Sequence, residues 1–237
     1  MSDVNLTTVD GVNATGRSAV TPIRVGEGNA NTAWYGKDGA AISLPWLQAL
    51  VLEGRCFTAT VGTLSTGIVG GGNGTVPELA EPEFVIGVPA GAVILPFRIA
   101  VQGNCANAVA DHDVLEVIIA AMLGTAYDGT GTATTEVAYN LRTDNPKASL
   151  CSVKSAFTAD ITIAPVATID LARTEVHVDA TSAIALGTIV VDCLYQPTVV
   201  PFIVGPAILF GMWGGTTAVT GYAQLYWAEF AKSELGI

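Results

Sequence analysis

The densest group of side chains able to bind a metal or move a proton is Asp111-His112-Asp113. A metal needs three or four ligands converging on one point. Here an apolar run follows at once, so the two aspartates are expected to cap and solvate the start of a strand, and no metal is expected. The second histidine, His177, alternates with Val176 and Val178. That spacing puts it with Glu175 and Asp179 on a solvated strand face. A nucleophilic triad needs Ser or Cys in contact with His and a carboxylate. With two histidines and no G-x-S-x-G elbow, none is supported. Glycoside hydrolysis needs two facing carboxylates, and Glu116, Glu136, Glu175 and Glu229 fall in strand-like runs where a pair could meet. Glu116 stands out because it interrupts an apolar run. A buried carboxylate must be paired or shift its pKa, and pairing with an arginine such as Arg98 or Arg142 is the expected, structural role. No catalytic residue is assigned.

Other features with chemical potential reduce in the same way. The run Gly70-Gly71-Gly72-Asn73-Gly74 lacks the Lys and Ser/Thr of a phosphate-binding loop, and no helical pattern follows it. It is expected to be a flexible surface loop, and no cofactor is expected. Cys56, Cys105, Cys151 and Cys193 are far apart, lie in or beside apolar runs and form no CxxC pair. Buried free thiols are expected; one or two disulfides stay open if the chain matures outside a reducing cytosol. Trp213 and Trp227 could stack sugars on an exposed face, but beside Leu, Phe and Met at strand spacing they are expected in the core. Sequons at Asn5, Asn13 and Asn73 carry little weight, because the N-terminus MSDVNLTTVDGVNATGRS has no apolar signal core and points to synthesis in a cytosol.

The elements that must hold these residues are read from composition and pattern. The 237 residues are 50% hydrophobic and 13% charged, with a formal net charge of −11. An ordinary soluble domain is roughly a quarter charged, so part of the uncharged surface is expected to be buried against other subunits. Ten scattered basic residues make no footprint for phosphates, and nucleic-acid binding is not expected. An acidic surface repels anionic membranes. Val199–Trp213 is short for a membrane span and carries Pro201 and Pro206, and Asp113–Ala126 is short and contains Glu116. The strands are too uneven and too poor in aromatics for a membrane barrel.

Residues 1–54 are expected to form an extended arm with one short anchor. The first thirty or so are polar and aperiodic. Trp34, Tyr35, Trp46 and Leu47 follow, and Ser43-Leu44-Pro45-Trp46 predicts a helix start with Ser43 as cap and Pro45 in the first turn. These aromatics either pack on the domain's own core or dock on a neighbouring subunit, and Trp34, Tyr35, Trp46 and Leu47 are the candidate assembly contacts. Residues 55–237 read as one domain of about ten strands. They are Arg55–Leu64, Glu83–Val88, Ala92–Gln102, Asp113–Leu123, Thr135–Leu141, Val153–Ile163, Arg173–Val178, Thr188–Tyr195, Ala207–Trp213 and Thr220–Phe230. Pro96 predicts an edge or a bulge. Asp113–Leu123 is nearly continuously apolar, as a strand covered on both faces would be. Without amphipathic helices between strands, the pattern is an all-β, jelly-roll-like antiparallel β-sandwich.

Two segments carry a resemblance. Pro82–Val101, PEFVIGVPAGAVILPFRIAV, is a strand, a Val-Pro-Ala-Gly turn and a strand broken by proline. Gly215–Phe230, GTTAVTGYAQLYWAEF, is a polar turn and a strand ending in Trp-Ala-Glu. From about residue 82 onward the chain resembles the jelly-roll structural proteins of tailed-phage virions, notably the cement or decoration proteins on capsids. The resemblance implies a non-enzymatic homo-oligomer, most often a trimer, made in the host cytoplasm. It would be bound to the major capsid protein on the capsid exterior, with residues 1–54 as its reaching arm. The acidic balance fits the outside of a shell better than a DNA-facing lining. A jelly-roll major capsid protein and a carbohydrate-binding β-sandwich module are the alternatives.

Overall fold

The computed structural model describes residues 3–7, 13–17, 33–34, 45–63, 65–71, 76–105, 113–127, 129, 131–144, 147–161, 167–178, 189–215 and 219–236. The chain divides into two compact units, Met1–Arg55 with Leu141–Pro146, and Cys56–Asn140 with Lys147–Ile237.

In the first unit, β1 (Asp3–Thr7) pairs antiparallel with β2 (Asn13–Arg17), and β2 pairs parallel with β3 (Ala33–Trp34). Helix α1 (Trp46–Leu52) follows. Its N-cap is Pro45, in extended backbone and with no side-chain cap, rather than Ser43, which lies outside the described residues. Proline is tolerated there because the first N–H groups of a helix have no intrahelical partner. The helix stops at Gly54, whose φ of +70° is open to glycine. Gly54 N–H donates to the Val51 carbonyl and Arg55 N–H to the Leu50 carbonyl, both at 2.9 Å, the paired bonds of a Schellman stop. Arg142 belongs to this unit. It donates to Asp144 and to the Leu52 carbonyl, satisfying a C-terminal carbonyl of α1.

The second unit is a sandwich of two antiparallel sheets. In chain order its strands are β4 (Cys56–Val61), β5 (Ile68–Val69), β6 (Phe84–Val88), β7 (Ala92–Cys105), β8 (Asp113–Leu123), β9 (Thr134–Glu136), β10 (Tyr139–Asn140), β11 (Ser152–Ser155), β12 (Ala167–Val178), β13 (Ile189–Tyr195), β14 (Ile203–Val204), β15 (Ala207–Gly215) and β16 (Thr220–Ala231). The seven-stranded sheet runs β10-β4-β16-β7-β13, with β14 beside β7 and β5 beside β16. The six-stranded sheet runs β12-β8-β15-β6-β11-β9. The antiparallel pairs β4/β16, β6/β15, β7/β13 and β8/β12 are the rungs of one long hairpin. Folding that hairpin over itself creates the pairs β16/β7 and β15/β8. This is the jelly-roll topology, and the all-β sandwich expected from the strand pattern is the observed fold.

The two inner faces build the main core. Phe57 stacks on Trp227 at 6.1 Å, and Phe84 tilts against Trp213 at 6.5 Å. Both tryptophans are fully buried, so neither is a sugar platform. A second core covers part of the outer face of the six-stranded sheet. There Val85, Ala120, Met122, Ile208, Phe210 and Met212 pack with Phe157 and Ile161. Backbone bonds Ile161 to Ala80 and Thr158 to Thr132 tie the covering segments together. This is why Asp113–Leu123 reads as apolar: its C-terminal half is covered on both faces. The run Val199–Trp213 forms β14 and β15, and β15 is buried throughout. Much of the apolar excess expected at subunit contacts is therefore used inside the chain. No helix among the described residues is long and apolar enough to cross a membrane.

Several boundaries differ from the pattern. Pro96 lies in β7 beside a bulge, where the register with β16 skips Phe97 between Tyr226 and Trp227. Its missing N–H costs no ladder bond, since β14 pairs with Val93 and Ile94 and β13 begins at Ile99. Thr135–Leu141 is two strands in different sheets: β9 pairs with β11, and β10 with β4. Val153–Ile163 ends early, because Ala156 turns to a φ of +50° and its N–H goes to the Glu83 carbonyl. Arg173–Val178 is the end of a strand that starts at Ala167 and bulges at Leu171.

Candidate functional site

Register places the outward side chains of the seven-stranded sheet in rows, each step about 4.8 Å from the next. One row runs Tyr139, Thr58, Tyr226, Arg98 across β10, β4, β16 and β7. The next runs Thr60, Gln224, Ala100, Leu194, and the third Tyr222, Gln102, Asp192. Tyr139 is 64% exposed and Leu194 59%. The Arg98 guanidinium lies over the Tyr226 ring at 5.6 Å, and Phe97 tilts beside that ring at 6.2 Å. In the third row the Tyr222 hydroxyl donates to Gln102 Oε1 at 2.8 Å, and Gln102 Nε2 donates to Asp192 Oδ1 at 2.7 Å. Polar residues on a sheet face are visible in a sequence only as alternate positions; which of them become neighbours is set by a register that no local pattern carries.

The candidate assembly contacts fall in the first unit. Trp34 ends β3, paired with Arg17. Tyr35 lies outside the described residues. Trp46 opens α1 and is 53% exposed, Leu47 beside it is half-buried, and Leu50 is the buried residue of the helix. All residues of α1 except Gln48 are apolar, and none is charged.

The carboxylates expected in strands have distinct partners. Glu116 and Glu175 face each other across β8 and β12. Glu116 pairs with Arg173, rather than with Arg98 or Arg142, and Glu175 sits 3.1 Å from His177. Glu136 accepts from the Ser155 hydroxyl. Glu229 is buried in the β16 strand. It accepts from Trp227 Nε1 at 2.7 Å, from Leu150 N–H at 2.7 Å and from the Ser149 hydroxyl. The Cys151 thiol beside it is pushed up, by burial first and by the Glu229 charge second. Cys56, Cys151 and Cys193 are buried free thiols. Asp111 and His112 lie outside the described residues, and Asp113 opens β8. No group of three or more His, Cys, Asp or Glu among the described residues is placed to hold a metal.

Glu83 is a residue the sequence reading passed over. Its side chain is buried, accepting Gly71 N–H at 2.7 Å and Trp213 N–H at 2.9 Å. Burial pushes its carboxyl up to about 8 against those two bonds, and Glu81 adds to the rise. The start of the glycine run is thus pinned rather than a flexible surface loop: Gly70 and Gly71 are buried, and Gly70 N–H donates to Val219 at 2.7 Å. Trp213 Nε1 donates to the Ile68 carbonyl. A Cβ on Gly70 would lie 2.1 Å from the Trp213 carbonyl oxygen, so glycine is required by contact. Residues 72–75 lie outside the described residues. Comparison with protein-family models, with curated proteins and with solved structures finds no match for this chain.

Proposed function

We propose that this chain is a non-enzymatic structural component of a viral particle. It is a cement or decoration protein of a tailed-phage capsid, assembled as a trimer and bound to the major capsid protein on the particle's exterior. The jelly roll supports this by analogy alone, since one fold hosts many functions. The observation that carries the reading is α1, an uncharged, apolar helix whose Trp46 is 53% exposed with Leu47 beside it. Large aromatics at a protein surface are the residue type on which interface energy concentrates. The net charge of −11 belongs on the outer side of a shell rather than against packaged DNA.

The test uses the full chain. Native mass measurement is expected to give a trimer, and immunogold labelling of density-banded particles from the producing culture is expected to decorate their surface. Trp46→Ala should weaken particle binding by about tenfold or more with an unchanged circular dichroism spectrum. A micromolar monomer absent from particles would overturn the reading.

A further inference from the structure

The geometry points to the outer face of the seven-stranded sheet as a binding platform for a neutral, extended oligosaccharide, with Tyr139 as its stacking ring and the Gln102–Asp192 pair as its polar anchor. Three observations lead there. First, the polar groups are already oriented. The chain of bonds from Tyr222 to Gln102 to Asp192 fixes the amide and holds one carboxylate oxygen, leaving an exposed side chain able to accept from hydroxyls. Arg98, exposed on the first row, supplies donors on the same face. A sugar hydroxyl both donates and accepts, so a face with acceptors at one end and donors at the other suits a run of hydroxyls.

Second, the face is electrically balanced on a chain that is not. In the three rows the charged groups are Arg98 and Asp192, of opposite sign, whereas the whole chain carries −11. Acidic glycans are repelled by the chain at large, and neutral ones are not. Third, the polarity is arranged the wrong way for a protein partner. Protein interfaces have an apolar centre and a polar rim. Here the central strands carry Thr60, Gln224, Gln102 and the hydroxyl-bearing Tyr222 and Tyr226, with Ala100 their one aliphatic in the three rows, and the exposed aliphatics Val190 and Leu194 lie on the edge strand β13. Tyr139 on β10 and Asp192 on β13 are four strand spacings apart, about 19 Å across the sheet, and four residues, about 13 Å, apart along it, which spans several pyranose rings.

This inference is independent of docking through α1, and the test keeps the two apart. The full chain is titrated by calorimetry with cellohexaose, xylohexaose and laminarihexaose, with a heparin hexasaccharide as the charged comparison. At least one neutral hexasaccharide is expected to bind and heparin is not. Tyr139→Ala and Gln102→Ala should each weaken binding about fivefold, and Trp46→Ala should leave it unchanged. Thermal melts confirm that the variants fold; Tyr139 is exposed, so its truncation removes little packing. No neutral binding by the folded chain overturns the proposal. So does binding that both face variants leave intact, and so does self-association that Tyr139→Ala abolishes, which would make the face a contact between copies.

Discussion

Replacing Glu83 with glutamine should abolish one pH-dependent loss of stability in the sandwich. A free glutamate loses its proton near 4.5, and Glu83 in the folded chain near 8. Between those values the unfolded chain binds fewer protons than the folded one, so stability falls as pH rises. The contribution of this group is fully present below about pH 4.5 and is lost by about pH 8. At 1.36 kcal/mol per unit, a difference of about 3.5 units amounts to about 5 kcal/mol. Glutamine cannot ionise, so that decline should vanish. It also cannot satisfy both Gly71 and Trp213, because its amide nitrogen must face one of two N–H donors. The mismatch costs about 1–3 kcal/mol at every pH. Glu83→Gln should therefore be the less stable protein at pH 4.5 and the more stable by about 2–4 kcal/mol at pH 8.5. Urea unfolding across that range, read at constant slope, measures the difference and cancels the other carboxylates. A stability difference that stays flat with pH would refute the assignment of a buried, late-titrating Glu83.

Glycine substitutions separate space from propensity. Gly70→Ala should cost about 3 kcal/mol because its Cβ meets the Trp213 backbone, whereas Gly91→Ala, with nothing within 4 Å, should be near neutral in a thermal melt. Glu229→Ala removes the acceptor of Trp227, Leu150 and Ser149 and should cost about 3 kcal/mol in urea unfolding, against about 1 kcal/mol for Ser149→Ala. Cys56, Cys151 and Cys193 should resist a thiol reagent in the folded protein and react at once in denaturant, as peptide mapping of the labelled thiols would show.

The fold was legible wherever side-chain alternation or an apolar run outlasted the turns around it. β6, β7, β8, β15 and β16 lie close to their expected positions, and Pro96 marked the bulge. Errors arose where local pattern and long-range pairing part ways. Nothing between Thr135 and Leu141 signals a passage from one sheet to the other. Ala156 adopts a left-handed conformation with no glycine to announce it. Asp10-Gly11, between β1 and β2, is of the residue type found in hairpin turns, a signal that reading the first thirty residues as polar and aperiodic did not use. For the site, residue types were visible and neighbours were not. Glu116 needed a partner, but Arg173 lies diagonally across a strand pair whose register depends on a bulge at Leu171. The glycine run was rich enough in glycine to look loose, while the buried acid that pins it sits a dozen residues on, in a segment without periodicity.

The position of β16 bears on how the chain is made. The most C-terminal of the described strands stands in the middle of its sheet, between β4 and β7. A ribosome emits β4 roughly 160 residues before the strand that must pair with it. Throughout that interval β4 and the inner side of β7 are bare edges, open to one another's copies on neighbouring nascent chains. The sandwich therefore cannot close before β16 is made, and a chain cut short before Thr220 keeps two sticky edges instead of losing one strand. Synthesis of β16 is the event that completes the sheet.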